Sequence, residues 1–280
     1  MDLITIQKLL ERCYDVGFKQ FDTAPNYGMG FAEFSLGKVL GDKNDCLINT
    51  KMGNNPFFGK SFSISNLKKS VENSLSRLKC DNINVLFLHN PRDEIEDYDE
   101  IIALMDTLKT EGKIRYSGLS KGKGVDYKSI VDLNHFDFIQ DDINLLYLKP
   151  ILSDFENNYK MMARSPLASG LLSGKISEST VFQKEDHRSG WLKGERLVSL
   201  LKRIRGLEKV SDLPLPNLAR RFLLNYLSID YVIFGVKSVH HVDDIFHDLS
   251  SSKLDNNIID QLFDLYSNDF GLINEKHLGY

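Results

Sequence analysis

Four ionisable side chains lie at or just beyond the ends of short apolar segments. One segment closes on Phe21-Asp22 and runs into Thr23-Ala24-Pro25-Asn26-Tyr27-Gly28; Ile48-Asn49-Thr50-Lys51 and Val85-Leu86-Phe87-Leu88-His89 close two more. In a (β/α)8 barrel, parallel strands bring their C-terminal ends to one face, where this fold builds active sites. Asp22, Lys51 and His89 would then end consecutive strands, with Tyr27 on the first loop. The chemistry open to such a set is proton donation. A phenol, ordinarily with a pKa of about 10, is too weak an acid at neutral pH unless a cation stabilises its phenolate, and a lysine held by a carboxylate supplies that cation. Singly, each residue has a plainer role: a strand-end Asp as a cap, a loop Tyr as surface, a His as a structural hydrogen-bonding group. Jointly, the base-to-acid logic favours a functional set.

The order Asp22, Tyr27, Lys51, His89, in these contexts, resembles the tetrad of the aldo-keto reductases. The resemblance runs from about Thr5 to Leu249 and is also carried by Ser74-Leu75-Ser76-Arg77-Leu78, Gly118-Leu119-Ser120, the stretch from Ser165-Pro166-Leu167 to Gly174-Lys175, and Val232-Ile233-Phe234-Gly235. It implies an α/β fold, a (β/α)8 TIM barrel that is N-terminally abbreviated. It also implies an NADP(H)-dependent oxidoreductase that reduces a small-molecule aldehyde or ketone. In that scheme Tyr27 is the general acid, Lys51 makes it acidic enough, Asp22 holds Lys51 and His89 orients the carbonyl oxygen. No metal is required.

No Gly-rich Rossmann fingerprint follows a strand, so the resemblance puts the dinucleotide across the loops after the last strands. Ser165, Leu167, Ser169 and Gly170 are expected at the pyrophosphate, which backbone N–H groups of that segment would meet. Gly235, Lys237 and His241 are expected at the adenosine end, and Ser120 and Gln140 at the nicotinamide carboxamide. Lys121 replaces the usual asparagine after the serine; lysine donates and cannot accept, so half of that amide contact is lost. Arg164 stands where many members stack a tyrosine, and its plane can also stack. Two unit charges about 4 Å apart repel by ~1 kcal/mol in water and ~4 kcal/mol at an intermediate effective dielectric, so Arg164 either favours the reduced cofactor or turns toward an anion. His241 takes the place of the family's common arginine and Ile245 that of an asparagine, which leaves Lys237 as the 2′-phosphate partner. NADPH is expected ahead of NADH. Lys121-Gly122-Lys123-Gly124 is too short for a P-loop and is expected to be a turn. Two alternatives stay open: a non-catalytic dinucleotide-binding sensor or interaction protein of the same fold, and a lyase with a Schiff base at Lys51.

The elements that must position these residues alternate from the start of the chain. A helix capped by Thr5 carries Ile6, Leu9, Leu10 and Cys13 and ends at Gly17, and a strand Phe18 to Asp22 follows. Helices near Ala32 to Leu40 and through Leu67, Val71, Leu75 and Leu78 lead to the Lys51 and His89 strands. Ile101, Leu104, Met105 and Leu108 line the next helix. Strands Ile114 to Leu119, Phe136 to Gln140 and Tyr159 to Arg164 come after it, then helix Asn217 to Leu227, strand Tyr231 to Phe234, and helices Val239 to Leu249 and Asp255 to Tyr266. This alternation predicts a parallel sheet with right-handed crossovers. Between Ile176 and Leu213 a long charged loop is expected, with Trp191 either closing the pocket or anchoring the loop. The strands number seven. Family members normally begin with a hairpin and a further strand, so either self-association or another segment is expected to cover the gap, or the natural chain starts upstream of Met1.

At 280 residues the chain suits a single barrel domain, 1–280. A net charge of -4 argues against a nucleic-acid or anionic-membrane surface. The basic run Lys202-Arg203-Ile204-Arg205 is expected to be a solvated helix face. Cys13, Cys46 and Cys80 are too sparse for a metal site or disulfide framework and fit a reducing, cytoplasmic setting as buried thiols without chemistry. No membrane-length apolar run occurs.

Overall fold

The computed structural model describes residues 1–56, 59–92, 95, 98–122, 125–127, 131–152, 158–226 and 228–272. Helix α1 (Leu3–Asp15) is followed by β1 (Gln20–Asp22), α2 (Phe31–Leu40), β2 (Leu47–Met52), the short strands β3 (Asn54–Asn55) and β4 (Gly59–Lys60), α3 (Ile64–Leu78) and β5 (Ile83–His89). Then come α4 (Tyr98–Thr110), β6 (Ile114–Ser120), β7 (Phe138–Asp142), α5 (Lys149–Leu152), β8 (Lys160–Arg164), α6 (Gly194–Leu207), α7 (Leu215–Asn225), β9 (Tyr231–Val232), α8 (Val239–Ser250) and α9 (Asn256–Ser267). Seven strands share one sheet in the order β1-β2-β5-β6-β7-β8-β9, while β3 and β4 form a separate antiparallel pair. Within that sheet β1–β2, β2–β5, β5–β6 and β6–β7 all pair in parallel, as β/α alternation requires. Among the described residues no helix is long and apolar enough to cross a membrane.

The chain groups into two compact units. The first comprises Met1–Asp141, Glu156–Met162 and Val236–Asp243. Its centre is β5, in which every residue from Ile83 to His89 is buried, the pattern of a parallel strand covered on both faces. Leu67, Val71 and Leu78 of α3 and Ile101, Leu104, Met105 and Leu108 of α4 are buried at helical spacing. At the start of the chain the cap is Asp2 and not Thr5: the Asp2 carboxylate accepts from the Thr5 N–H at 2.9 Å, and the Thr5 hydroxyl donates to it at 3.0 Å. A carboxylate placed three residues before the orphan N–H reaches it directly, and this pairing was overlooked in the sequence. Gly17, at φ +100°, ends that turn in a conformation that favours glycine.

The second unit comprises Asp142–Phe155, Ala163–Gly235 and Asp244–Tyr280. Here the expected loop between Ile176 and Leu213 contains a full helix, α6, whose Leu197, Leu200, Leu201, Ile204 and Leu207 are buried. Lys202 and Arg205 are exposed as expected, but Arg203 is 2% exposed and clamped on Asp269, with Nε–Oδ1 at 2.8 Å and Nη2–Oδ2 at 2.5 Å. Trp191 is half-buried beside the fully buried Leu192. Leu227, the expected end of α7, lies outside the described residues.

Of the three thiols expected to be buried, Cys13 is, whereas Cys46 and Cys80 are only half-buried. Burial pushes Cys13 up to about 11, and burial also raises Cys46 and Cys80, so thiolate chemistry at neutral pH is suppressed at each.

One glycine of the first unit bears on the site. Gly118 pairs across β5–β6 with Phe87, and a Cβ at 118 would lie 2.4 Å from the Phe87 ring. That ring is fully buried, 6.0 Å from the Lys51 ammonium. Gly118→Ala is expected to lower stability by about 1–3 kcal/mol through overpacking. Urea denaturation reads this, and Phe87→Leu added to Gly118→Ala should recover part of the loss; an unchanged midpoint in Gly118→Ala would show that the ring moves aside freely.

Candidate active site

Lys51 enters the site from β2. Two-residue periodicity puts it on the same face as Asn49, which lies opposite Asp22 in the β1–β2 register. Its side chain has no exposed surface, forms an ion pair with Asp22, and donates a second hydrogen bond to the Thr23 carbonyl at 2.8 Å. The other Asp22 oxygen accepts from Gln140 Nε2 at 2.9 Å, and Gln140 Oε1 accepts from the Ser120 hydroxyl at 2.9 Å. A buried ion pair contributes little net stability compared with apolar side chains of the same volume, while an unpaired buried charge is costly. The cation at position 51 is therefore a local electrostatic fixture more than a brace.

Tyr27 sits on the turn that joins β1 to α2. Its N–H donates to Ala24 O at 3.0 Å, and its carbonyl accepts from the Ala32 N–H at 3.3 Å. The Lys51 ammonium is 5.2 Å from the Tyr27 ring centroid. The His89 ring, on the buried end of β5, meets Tyr27 edge to face, with centroids 5.9 Å apart and planes at 87°. Tyr27 is 42% exposed, against 4% for His89 and 1% for Lys51. An accessible phenol thus stands before a buried cation and beside an imidazole, and all four side chains predicted from sequence come together, joined by Ser120 and Gln140. Lys121 bonds Asp141 at 2.8 Å, and Lys123 and Gly124 lie outside the described residues.

A family model described as the Aldo/keto reductase family matches residues 2–266. The chain belongs to that family. Among curated relatives, the uncharacterized oxidoreductase YqkF of Bacillus subtilis is 28% identical over 247 residues, covering 84% of this chain and 78% of that protein. The D-threo-aldose 1-dehydrogenase of a Pseudomonas species is 26% identical over 260 residues, covering 81% and 78%. The solved aldo-keto reductase AKR11C1 of Bacillus halodurans, in a holo form, superposes with a TM-score of 0.79 at 24% identity over 100% of this chain and 90% of that one. The fold is accordingly the α/β TIM-barrel type of the aldo-keto reductases, and family membership makes the chain an oxidoreductase relative.

The other residues that the family resemblance singles out fall within each unit as follows. In the second unit, Arg164 takes the second of its two expected roles and turns to an anion: its Nε meets Asp142 Oδ1 at 3.0 Å, and the Ser165 hydroxyl donates to the same oxygen at 2.7 Å. Ser165, Ala168, Ser169 and Gly170 all have left-handed backbone, at φ +57°, +49°, +55° and +94°, which folds the segment through Leu167 into a tight turn whose Ala168 and Gly170 N–H groups donate to the Ser165 and Leu167 carbonyls at 2.9 and 2.8 Å. Arg188, which the sequence reading missed, donates to the Ser169 carbonyl at 3.2 Å while clamped on Asp186. Gly235 is exposed, and Ile245 is buried and apolar. In the first unit, Lys237 and His241 are neighbours at the start of α8, with the Lys237 N–H 3.3 Å from His241 Nδ1.

Removing the cation tests how tightly the first-unit cluster is coupled. Lys51→Met strands Asp22, whose side chain is 9% exposed, and is expected to cost about 3–5 kcal/mol. Asp22→Asn in the same chain should restore much of it, with an interaction term of about 0.5–3 kcal/mol in a urea double-mutant cycle; strictly additive losses would mean that the two charges act independently.

Proposed function

We propose that the protein reduces an aldehyde or ketone to an alcohol with NADPH, using Tyr27 as general acid. The observation that carries this reading is the placement of a half-exposed Tyr27 ring against the Lys51–Asp22 pair and the His89 edge. A carbonyl oxygen set against the Tyr27 hydroxyl and the His89 ring takes its proton from Tyr27 as negative charge grows on it. The Lys51 ammonium stabilises the phenolate left behind, and Asp22, held in turn by Gln140, keeps that ammonium in place. Exposure of Tyr27 then allows reprotonation from solvent. A reduced nicotinamide, when bound, would supply the hydride.

Each unit carries part of the donor set proposed for such a dinucleotide. In the first unit Ser120 and Gln140 are amide partners by type, though both are buried, bonded to each other and, through Gln140, to Asp22. In the second unit the left-handed turn at Ser165, Leu167, Ser169 and Gly170 is the segment proposed to meet a pyrophosphate, with the Ala168 and Gly170 N–H groups already given to the Ser165 and Leu167 carbonyls, and Gly235 is exposed with open space around it. Lys237, beside His241, offers a 2′-phosphate a cation and makes NADPH the better ligand than NADH. Arg164 is charge-balanced by Asp142, so the repulsion that a bare guanidinium would exert on a cationic ring is not part of the scheme. The reading takes 1–280 as one barrel domain acting on a small carbonyl compound in the cytoplasm.

Two substitutions test these roles separately. Tyr27→Phe is expected to leave fold and dinucleotide affinity nearly unchanged while NADPH oxidation by a reactive aldehyde slows by ~10² to 10⁴. Full activity in that variant would remove Tyr27 from the chemistry. Lys237→Glu should weaken NADPH binding far more than NADH binding in a fluorescence titration, because only NADPH carries the extra phosphate. Equal losses would place Lys237 elsewhere.

A further inference from the structure

The tyrosine loop and the lysine strand are different segments, and a buried carboxylate of the first unit, paired with a half-buried arginine, ties them together. Glu33, on the first turn of α2, is 0% exposed. Its Oε1 accepts from the Thr50 hydroxyl at 2.6 Å, and its Oε2 accepts from Arg77 Nε and Nη2, each at 2.7 Å. Thr50 directly precedes Lys51. Arg77, from the last turn of α3, also reaches the Ser74 hydroxyl at 3.4 Å. Its aliphatic stem lies beneath the turn that carries Tyr27: a Cβ at Gly30 would come within 3.2 Å of Arg77 Cδ. The same turn is sewn to α2 by Ala32 N–H to Tyr27 O at 3.3 Å and Phe34 N–H to Gly30 O at 3.0 Å.

A fully buried carboxylate is expensive to keep, and apolar side chains of equal volume usually stabilise as well or better. What Glu33 adds is direction. It fixes α2, hence the Tyr27 turn, to the one residue of β2 whose displacement moves Lys51. The short bond from Thr50 and the two-nitrogen contact from Arg77 leave the carboxylate little freedom, and Arg77 braces the turn from below.

We propose that Glu33, Arg77 and Thr50 are positioning residues that set the separation between the Tyr27 phenol and the Lys51 ammonium, and so set how readily Tyr27 gives up its proton. This rests on the proposed role of Tyr27 in carbonyl reduction. The three residues touch neither substrate nor cofactor in this scheme and act only through the geometry of the pair.

The test uses the full chain with Glu33→Leu and Arg77→Met combined, which removes the paired charges together and leaves only the Thr50 hydroxyl without its acceptor. Its urea midpoint should fall only modestly, by that lost bond, with the chain still folded. With NADPH and a reactive aldehyde, kcat should fall by about tenfold to a hundredfold, the cost typical of a displacement near 1 Å, while KM changes little. The alkaline limb of the kcat pH profile should move to higher pH, since a phenolate farther from the ammonium forms less readily. Arg77→Lys, which keeps the cation without the fork, should fall between parent and double variant. A folded double variant with the parent's kcat and pH profile overturns the inference. A parent whose turnover is insensitive to Tyr27→Phe overturns the function reading beneath it, and that outcome is recognised before any Glu33 variant is made.

Discussion

The first unit is arranged around a buried ammonium. Lys51 has no exposed side-chain surface, and its ammonium is met by the Asp22 carboxylate and the Thr23 carbonyl. Such a charge dictates its neighbourhood: Asp22 must end β1 on the inward face, β2 must hold register with it, and Gln140, itself held by the Ser120 hydroxyl, must satisfy the carboxylate oxygen that Lys51 leaves. Phe87 fills the space beneath, and this is possible because Gly118 opposite has no side chain. Every close partner is therefore either a charge, a hydrogen-bond completion or a volume match to that one group.

The cluster contrasts a fixed interior with an accessible ring. Lys51 and His89 are buried and the Asp22 side chain is 9% exposed, whereas Tyr27 reaches solvent from a turn with left-handed backbone at Gly28, Met29 and Gly30. Low-dielectric surroundings strengthen the field of the ammonium at the phenol, and the exposed edge admits a ligand. Catalysis by proton donation needs both conditions at the same atom. The proposed reaction follows from that overlap and from family membership together.

Much of this was legible in the sequence, for physical reasons that also mark where it was not. The tetrad could be found because parallel strands end on one face, so single ionisable residues after apolar runs point to one place. The helices of the first unit were legible because Leu67, Val71 and Leu78 repeat at helical spacing with polar residues between. A helix face was expected at 202–205, but the length of α6 and its burial were not, because its buried leucines are interrupted by Arg203, a charge that reads as solvated and in fact pairs with Asp269, sixty-six residues away. The pairing of Arg164 with Asp142 was one of two roles left open, since Asp142 lies on a different strand. The pairing of Glu33 with Arg77 was not legible, since a partner forty-four residues distant leaves no local pattern. Gln140 was expected at a carboxamide, and its bond to Asp22 shows that the same amide completes the lysine's counter-ion.

In the proposed reaction a hydride and a proton reach one carbonyl from different sources, the proton through Tyr27. This is read by a single turnover with NADPH deuterated at the transferring position, a reactive aldehyde and ordinary water, with the product followed by NMR. One deuterium is expected on the former carbonyl carbon and an exchangeable proton on its oxygen, with transfer in the Tyr27→Phe chain slowed and its deuterium position unchanged. An alcohol without deuterium at that carbon, or a borohydride-trapped adduct on Lys51 in place of alcohol, would contradict it.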